Sequence, residues 1–398
     1  MKHVLFVVLP ERGHIHPFLG AAEALRQRGA HVSFYAPRDV RSILGPLGWG
    51  DVHAPEGAGP PAAEHRGQAF SELLADPVRL RRWNRAMLVD AAEPAIAPLR
   101  AHLARTRPDV VVIDPMAYFA AIAAHEEHLP WLGLSTSLNP CIRDDVESEL
   151  LSTLRSLDEA RHALFRARGM PVRFRVSDVL SPLGTFVLST PALLGPDLPD
   201  DGVPIHLVGA ALPEAASRTE VIRSSKASRT SRPLVYVSFG SQAYHQPAHL
   251  RVVLDAARDV DARFVVAMGE LAASELVRGA PSNVEVVPFA PQVALLAEAS
   301  VAITHGGANS VHEGLAHAVP LLVSPICNDQ HHNASLVAAS GAGRVVDLAV
   351  ADGEAVAGTL RALLDRAAPE RIAAASIART YHAAGGAGRI ADVVLGAA

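Results

Sequence analysis

Apolar positions along the chain fall into short β-branched runs separated by longer segments of helical period. "HVLFVVL" (3–9) is apolar at consecutive positions, as a strand buried on both faces requires. "FLGAAEALRQRG" (18–29) then repeats with helical spacing and stops at Gly29. "HVSFYA" (31–36), "PDVVVID" (108–114) and "LPWLGLST" (129–136) read as further strands, the second ending on the carboxylate Asp114. The stretch up to about residue 105 predicts mostly helix and loop. Residues 137–205 predict helix first, then loop around "STPALLGPDLPDDGVP" (189–204). A second series begins at "LVYVSFGS" (234–241). It continues through "ARFVVAMG" (262–269), "VEVVPFAP" (284–291), "VAITHGG" (301–307) and "PLLVSPI" (320–326). The Ala-rich tail 367–398 predicts helix broken at Gly385-Gly386.

This alternation predicts an α/β protein with doubly wound parallel sheets. "ASRTEVIRSSKASRTSRP" (216–233) is polar, basic and Ser-rich, and it separates the two series as an interdomain linker would. The expected domains are 1–215 and 234–380. A chain of 398 residues suits two cores, and 49% hydrophobic against 19% charged residues supplies the material for both. A net charge of -5 and an aromatic share of 5% give no reason to expect nucleic acid as a partner. Two distant cysteines, Cys141 and Cys327, predict reduced thiols and a cytoplasmic setting. The N-terminal apolar run is too short for a secretory signal, and no run approaches a spanning helix, so membrane insertion is not expected.

Candidate chemistry concentrates in "PFAPQVALLAEASVAITHGGANSVHEGLAHAVPLLVSPICNDQHHNA" (288–334). Here a buried strand runs into a Gly-Gly turn and a helix opened by Asn309 and Ser310. Free backbone N–H groups and the positive helix end make that arrangement suited to phosphate, with His305 as a further donor. Glu313 lies one turn beyond Asn309 on the same face, where a carboxylate can accept both hydroxyls of a ribose. Asp329-Gln330 follows a strand end and would face a cleft.

The stretch resembles the donor-binding signature of the GT1 family, the UDP-glycosyltransferases of GT-B fold. That fold has two Rossmann-like domains whose parallel sheets face across a cleft. The matching residues are Phe289-Ala290-Pro291-Gln292, His305-Gly306-Gly307-Ala308-Asn309-Ser310, Glu313, Pro320, Asp329-Gln330 and Asn333. The resemblance implies that Phe289 stacks on the base and Gln292 helps hold the nucleoside. It places Glu313 on the ribose, and His305, Gly307, Asn309 and Ser310 at the diphosphate. Asp329 and Gln330 would grip the sugar, and Ser241 in "SFGS" would approach the phosphates. Phe289 stands where plant members usually have Trp, and Gly306-Gly307-Ala308 replaces their Cys-Gly-Trp; both departures resemble bacterial members that act on natural products. The resemblance also implies that 381–398 forms a helix returning to the first domain.

In the first half, "LPERGHIHPFLGAAEAL" (9–25) places His14 in the loop between the first strand and first helix, at the sheet edge where ligands bind. Transfer to an alcohol needs a base, and a positioned imidazole supplies about 10²–10⁴ in rate. Asp114, at the same edge, is the natural carboxylate partner. The family's Gly-His-x-x-Pro element, matched by Gly13-His14 and Pro17, carries its catalytic His, and its catalytic Asp is matched by Asp114. His16 replaces the usual Asn and is expected in the acceptor pocket, lined by residues 50–105 and 137–190.

The resemblance implies an inverting transfer of a hexose, glucose first, from a UDP-sugar to a hydroxyl of a small, largely apolar acceptor. No metal or cofactor beyond the nucleotide sugar is expected. The alternatives are a TDP-deoxysugar donor, a nucleotide-sugar epimerase of the same fold, and a non-catalytic nucleotide-sugar-binding protein. Asp259-x-Asp261 reads as a solvated turn rather than a metal motif. "HEGLAH" (312–317) spaces its histidines five apart, off one helix face. Arg79–Trp83 reads as a solvated helix face.

Overall fold

The computed structural model describes residues 1–60, 66–213 and 232–398. The expected linker, 216–233, lies outside the described residues except for its last two positions. The first sheet contains β1 (His3–Val7), β2 (His31–Tyr35), β3 (Val52–His53), β4 (Val110–Ile113) and β5 (Trp131–Ser135). A two-stranded antiparallel pair follows, β6 (Arg173–Arg175) with β7 (Asp178–Leu180). β8 (Thr185–Val187) and β9 (Ile205–Leu207) complete the large sheet, a seven-stranded parallel array in the order β3-β2-β1-β4-β5-β8-β9.

The second sheet has β10 (Leu234–Ser238), β11 (Arg263–Ala267), β12 (Val284–Val287), β13 (Ala299–Thr304), β14 (Leu321–Val323) and β15 (Gly343–Val345). These six parallel strands run in the order β12-β11-β10-β13-β14-β15. Both sheets therefore reverse their winding beside their first strand, at β1/β4 and at β10/β13. Ligand crevices form at such switch points.

Consecutive strand residues supply opposite faces, which is why the central strands β1, β4 and β10 read as nearly continuous apolar runs. Val4 and Phe6 join Phe18, Phe34, Val110 and Val112 on one side of the first sheet, while Leu5 and Val7 join Val111, Ile113 and Tyr118 on the other. Each such side chain taken from water contributes about 1.5–3 kcal/mol. The tail forms two helices, Pro369–Ala384 and Gly386–Ala397. The last places Ile390, Ala391 and Val394 in the first sheet's core beside Val4 and Phe18.

Three expectations change. The first helix runs from Arg12 to Gln27, so His14 and His16 lie in its opening turns and not in a loop. Glu11 is extended, and its carbonyl accepts from the amides of His14 and Ile15, which starts the helix ahead of Pro17. The region 137–205, read as helix and loop, contributes β6–β8 and the start of β9, whose three-residue lengths leave no periodicity to detect. In the helix Pro77–Arg85 the arginines are exposed, but Leu80 and Trp83 pack with Phe70, Ala243, Ile326 and Cys327, so this face docks on the second half. Both cysteines are free and buried. Among the described residues no helix is long and apolar enough to cross a membrane.

Candidate active site

β1 and β4 are neighbours with Val7 opposite Ile113, so the residues that follow them emerge side by side. The amide of Asp114 donates to the Val7 carbonyl at 2.9 Å, which fixes its backbone. Its Oδ1 accepts from the Met116 amide at 2.9 Å, and its Oδ2 accepts from His14 Nδ1 at 2.6 Å. Asp114 is fully buried, while the His14 side chain keeps 22% exposure. Burial opposes a charged imidazole, but the Asp114 carboxylate, joined by Glu11 and Asp178, outweighs it and holds the His14 pKa above its ordinary value. Nδ1 bears the proton given to Asp114, so Nε2 carries the free lone pair.

Thr136 adds a second contact, its Oγ1 3.1 Å from the same Nδ1. Thr136 follows β5, next to β4 in the sheet, and the sequence reading passed over it. Its position after an apolar strand at the shared edge was the available signal. His16, one helical step on, is half-buried, and burial beside Arg12 lowers its pKa to about 4.

In the second half, Ser238 of β10 lies opposite Thr304 of β13, which brings Gly240 against His305, with Ser241 exposed next in the chain. The His305 ring is wedged between two glycines. A Cβ at Gly240 would sit 2.7 Å from its Cε1, and one at Gly307 2.5 Å from its Nε2. Burial lowers the His305 pKa to about 4, so the ring is neutral and acts as a donor or acceptor, not as a cation. Gly307 caps the helix Ala308–Ala316 without a side chain, and no acidic residue lies in its first turn. The amides of Ala308, Asn309 and Ser310 form that open N-terminus, the arrangement suited to an anion.

Gln292 ties the nucleoside-side residues together. Its Nε2 donates to Glu313 Oε2 at 2.6 Å and reaches Ser310 Oγ at 3.3 Å, while Tyr236 donates to its Oε1 at 3.2 Å. Desolvation raises the Glu313 carboxyl to about 7 despite Gln292, so this acceptor is short of donors. Phe289 projects into solvent at 64% exposure, with the Arg12 guanidinium 5.3 Å from its ring centroid. Asp329 is half-buried, its Oδ2 accepting from Asn333 Nδ2 at 2.9 Å. Gln330 is different: its Oε1 accepts from the amides of Ile326 and Cys327 at 2.8 and 3.0 Å, and its Nε2 faces Cys327 Sγ. That side chain braces the turn from within.

The two halves meet at the candidate site. Asn309 Nδ2 donates to the Gly13 carbonyl at 2.7 Å, and Arg12 covers Phe289. His14 also lies close enough to Asp329 to lower its pKa, against the burial that raises it. His14 and the open N-terminus of the helix Ala308–Ala316 thus lie at one seam between the halves. Among the described residues no three His, Cys, Asp or Glu side chains are placed to hold a metal ion.

The fold has counterparts among known proteins. Residues 201–374 match the family model described as UDP-glucoronosyl and UDP-glucosyl transferase. The "Uncharacterized UDP-glucosyltransferase YojK" of Bacillus subtilis is 24% identical, over 99% of this chain and 97% of the relative. Demethyllactenocin mycarosyltransferase of Streptomyces fradiae is 26% identical over 82% of this chain and 71% of the relative. The solved glycotransferase of kitacinnamycin superposes with TM-score 0.75 at 25% identity, covering 100% of this chain and 99% of the other. Residues 201–374 thus match a UDP-glycosyltransferase family model, and over its whole length the chain is similar to glycosyltransferases and shares the two-sheet fold of the solved glycotransferase.

Proposed function

We propose that the protein moves a hexose, glucose first, from a UDP-sugar to a hydroxyl of a small, largely apolar acceptor, with inversion at the anomeric carbon. The observation that carries this reading is the His14–Asp114 pair at 2.6 Å, set against the open helix N-terminus through the Asn309–Gly13 contact. His14 Nε2 takes the acceptor proton as the oxygen attacks the anomeric carbon in line. The bond to the nucleoside diphosphate breaks and that group leaves with its electron pair. Asp114 fixes the tautomer and stabilises the imidazolium that forms.

The departing diphosphate is held by the amides at Ala308–Ser310, with His305 and Ser241 beside it. Phe289 stacks on the base, and the donor-starved Glu313 accepts from the ribose hydroxyls while Gln292 holds the nucleoside. Asp329 contacts the sugar, with Gln330 supporting the turn that presents it. His16 lines the acceptor side. No metal or further cofactor has a step in this scheme. A second reading, a TDP-sugar donor, draws on the likeness in fold to glycosyltransferases solved with DTDP or thymidine diphosphate.

The test is a mass-spectrometric screen of UDP- and TDP-sugars against phenolic and polyketide alcohols, with the product's anomeric configuration read by proton coupling. A β-glucoside from UDP-α-glucose supports the reading. Retained configuration, or sugar isomerisation without any acceptor, overturns it.

A further inference from the structure

Asp178 is a second buried carboxylate near the histidine, and the scheme above gives it no part. It opens β7 and is 1% exposed. Its Oδ2 accepts from the Ser135 hydroxyl at 2.6 Å, and its Oδ1 accepts from the Ser177 hydroxyl at 3.0 Å and the Asn139 amide at 3.2 Å. Among the described residues it has no cationic partner. Burying a carboxylate on neutral donors alone is costly, and an amide or a hydroxyl would staple two loops for less. The charge therefore calls for a use.

Two of its three donors bracket one short loop. Within it the Ser137 amide donates to Ser135 Oγ at 3.3 Å and the Asn139 amide to Ser137 Oγ at 3.1 Å. Between these anchors lies Thr136, with Oγ1 3.1 Å from the His14 nitrogen that Asp114 holds. We infer that Asp178 is a positioning residue for the base: it clamps residues 135–139 so that Thr136 braces His14, and its charge favours the imidazolium formed during transfer. The inference rests on His14 being the base.

The charged groups facing His14 are Asp114 from the end of β4, Glu11 from the start of its own helix, Asp178 from β7 and Asp329 from the second half. Asp178 is faced by Asp114, Cys141 and Tyr118. Burial, with Asp114 adding to it, pushes the Asp178 carboxyl up to about 6 against its three hydrogen bonds, so it is ionised at neutral pH. A negative charge there raises the basicity of His14, and removing it lowers that basicity.

The experiment is the pH dependence of kcat and of kcat/KM, with donor KM, for Asp178→Asn and Thr136→Val, in the full chain with its own donor and acceptor. Asp178→Asn is expected to lower kcat about fivefold or more, with donor KM within about twofold. It should also move the acid limb of kcat/KM to lower pH by about half a unit. Thr136→Val is expected to lower kcat similarly while leaving that limb in place. Wild-type kcat and an unshifted limb in Asp178→Asn overturn the inference, whatever its melting temperature. If that variant does not fold, wild-type kcat in Thr136→Val overturns it instead. An inactive His14→Ala beside an unaffected Asp178→Asn sinks this inference alone, whereas an active His14→Ala sinks the reading beneath it.

Discussion

Asn309 of the second half donates its side-chain amide to the backbone carbonyl of Gly13, 2.7 Å away in the first half. That carbonyl is free because of Pro17. In a helix it would accept from the amide four residues on, and proline has none. One proline thus opens an acceptor one residue before His14, and Asn309 at the start of the helix Ala308–Ala316 fills it.

Removing Asn309 leaves that carbonyl unpaired at the seam, a cost of about 1–3 kcal/mol. Asn309→Ala should therefore lower kcat/KM by about 5–150-fold. Pro17→Ala returns an amide to the helix, so the Asn309 substitution should cost less in that background. A double-mutant cycle on kcat/KM checks this coupling.

The His305 ring has no room to retreat, because glycines flank it on both sides. Gly307→Ala is expected to push the ring off its place and weaken UDP binding about tenfold or more, by roughly the 1.4 kcal/mol that a tenfold change represents. Calorimetric titration measures it.

Glu313 tests the nucleoside side through stability. Its carboxyl is raised from 4.5 to about 7 by burial, so the folded state binds more protons than the unfolded chain between those values. Stability is then lost as pH rises through that window. Glu313→Gln should raise the melting temperature above pH 7, by about 2–4 °C for each kcal/mol regained, and leave it unchanged near pH 4. The same variant should bind UDP more weakly. Thermal melts at the two pH values, with and without UDP, read both effects.

The sheets were legible because their central strands are buried on both faces and read as nearly unbroken apolar runs, as in Val110–Ile113 and Leu234–Ser238. β3, with two residues, and β6–β9, with three each, carry no period that can be told from loop. The first helix was placed too late because Pro17 reads as a boundary, whereas Asn309 supplies a partner from nearly 300 residues away. In the site, His14 and Asp114 were readable because each closes or follows an apolar strand. Thr136 follows an apolar strand too, but a lone threonine there carries no mark of chemistry, and Asp178 opens a three-residue strand with no detectable period, so it takes the fold to bring both near the histidine. Gln330 stands where the motif implies a sugar ligand, yet its side chain turns inward to the amides of Ile326 and Cys327.

The acid side of the pH profile carries a sign. Because Asp114 holds the His14 pKa above 6.5, kcat/KM should fall as pH drops through a value above 6.5. Asp114→Asn, which also disturbs the tautomer, should move that limb down and lower the plateau about 10²-fold or more. Initial rates across pH for both proteins decide it.

Single-turnover transfer by His14→Ala, at saturating donor and acceptor and with nucleotide affinity checked separately, bears most directly on the imidazole as the base. Transfer should slow by about 10²–10⁴ while UDP binding stays within about twofold. Transfer at the wild-type rate would contradict the account.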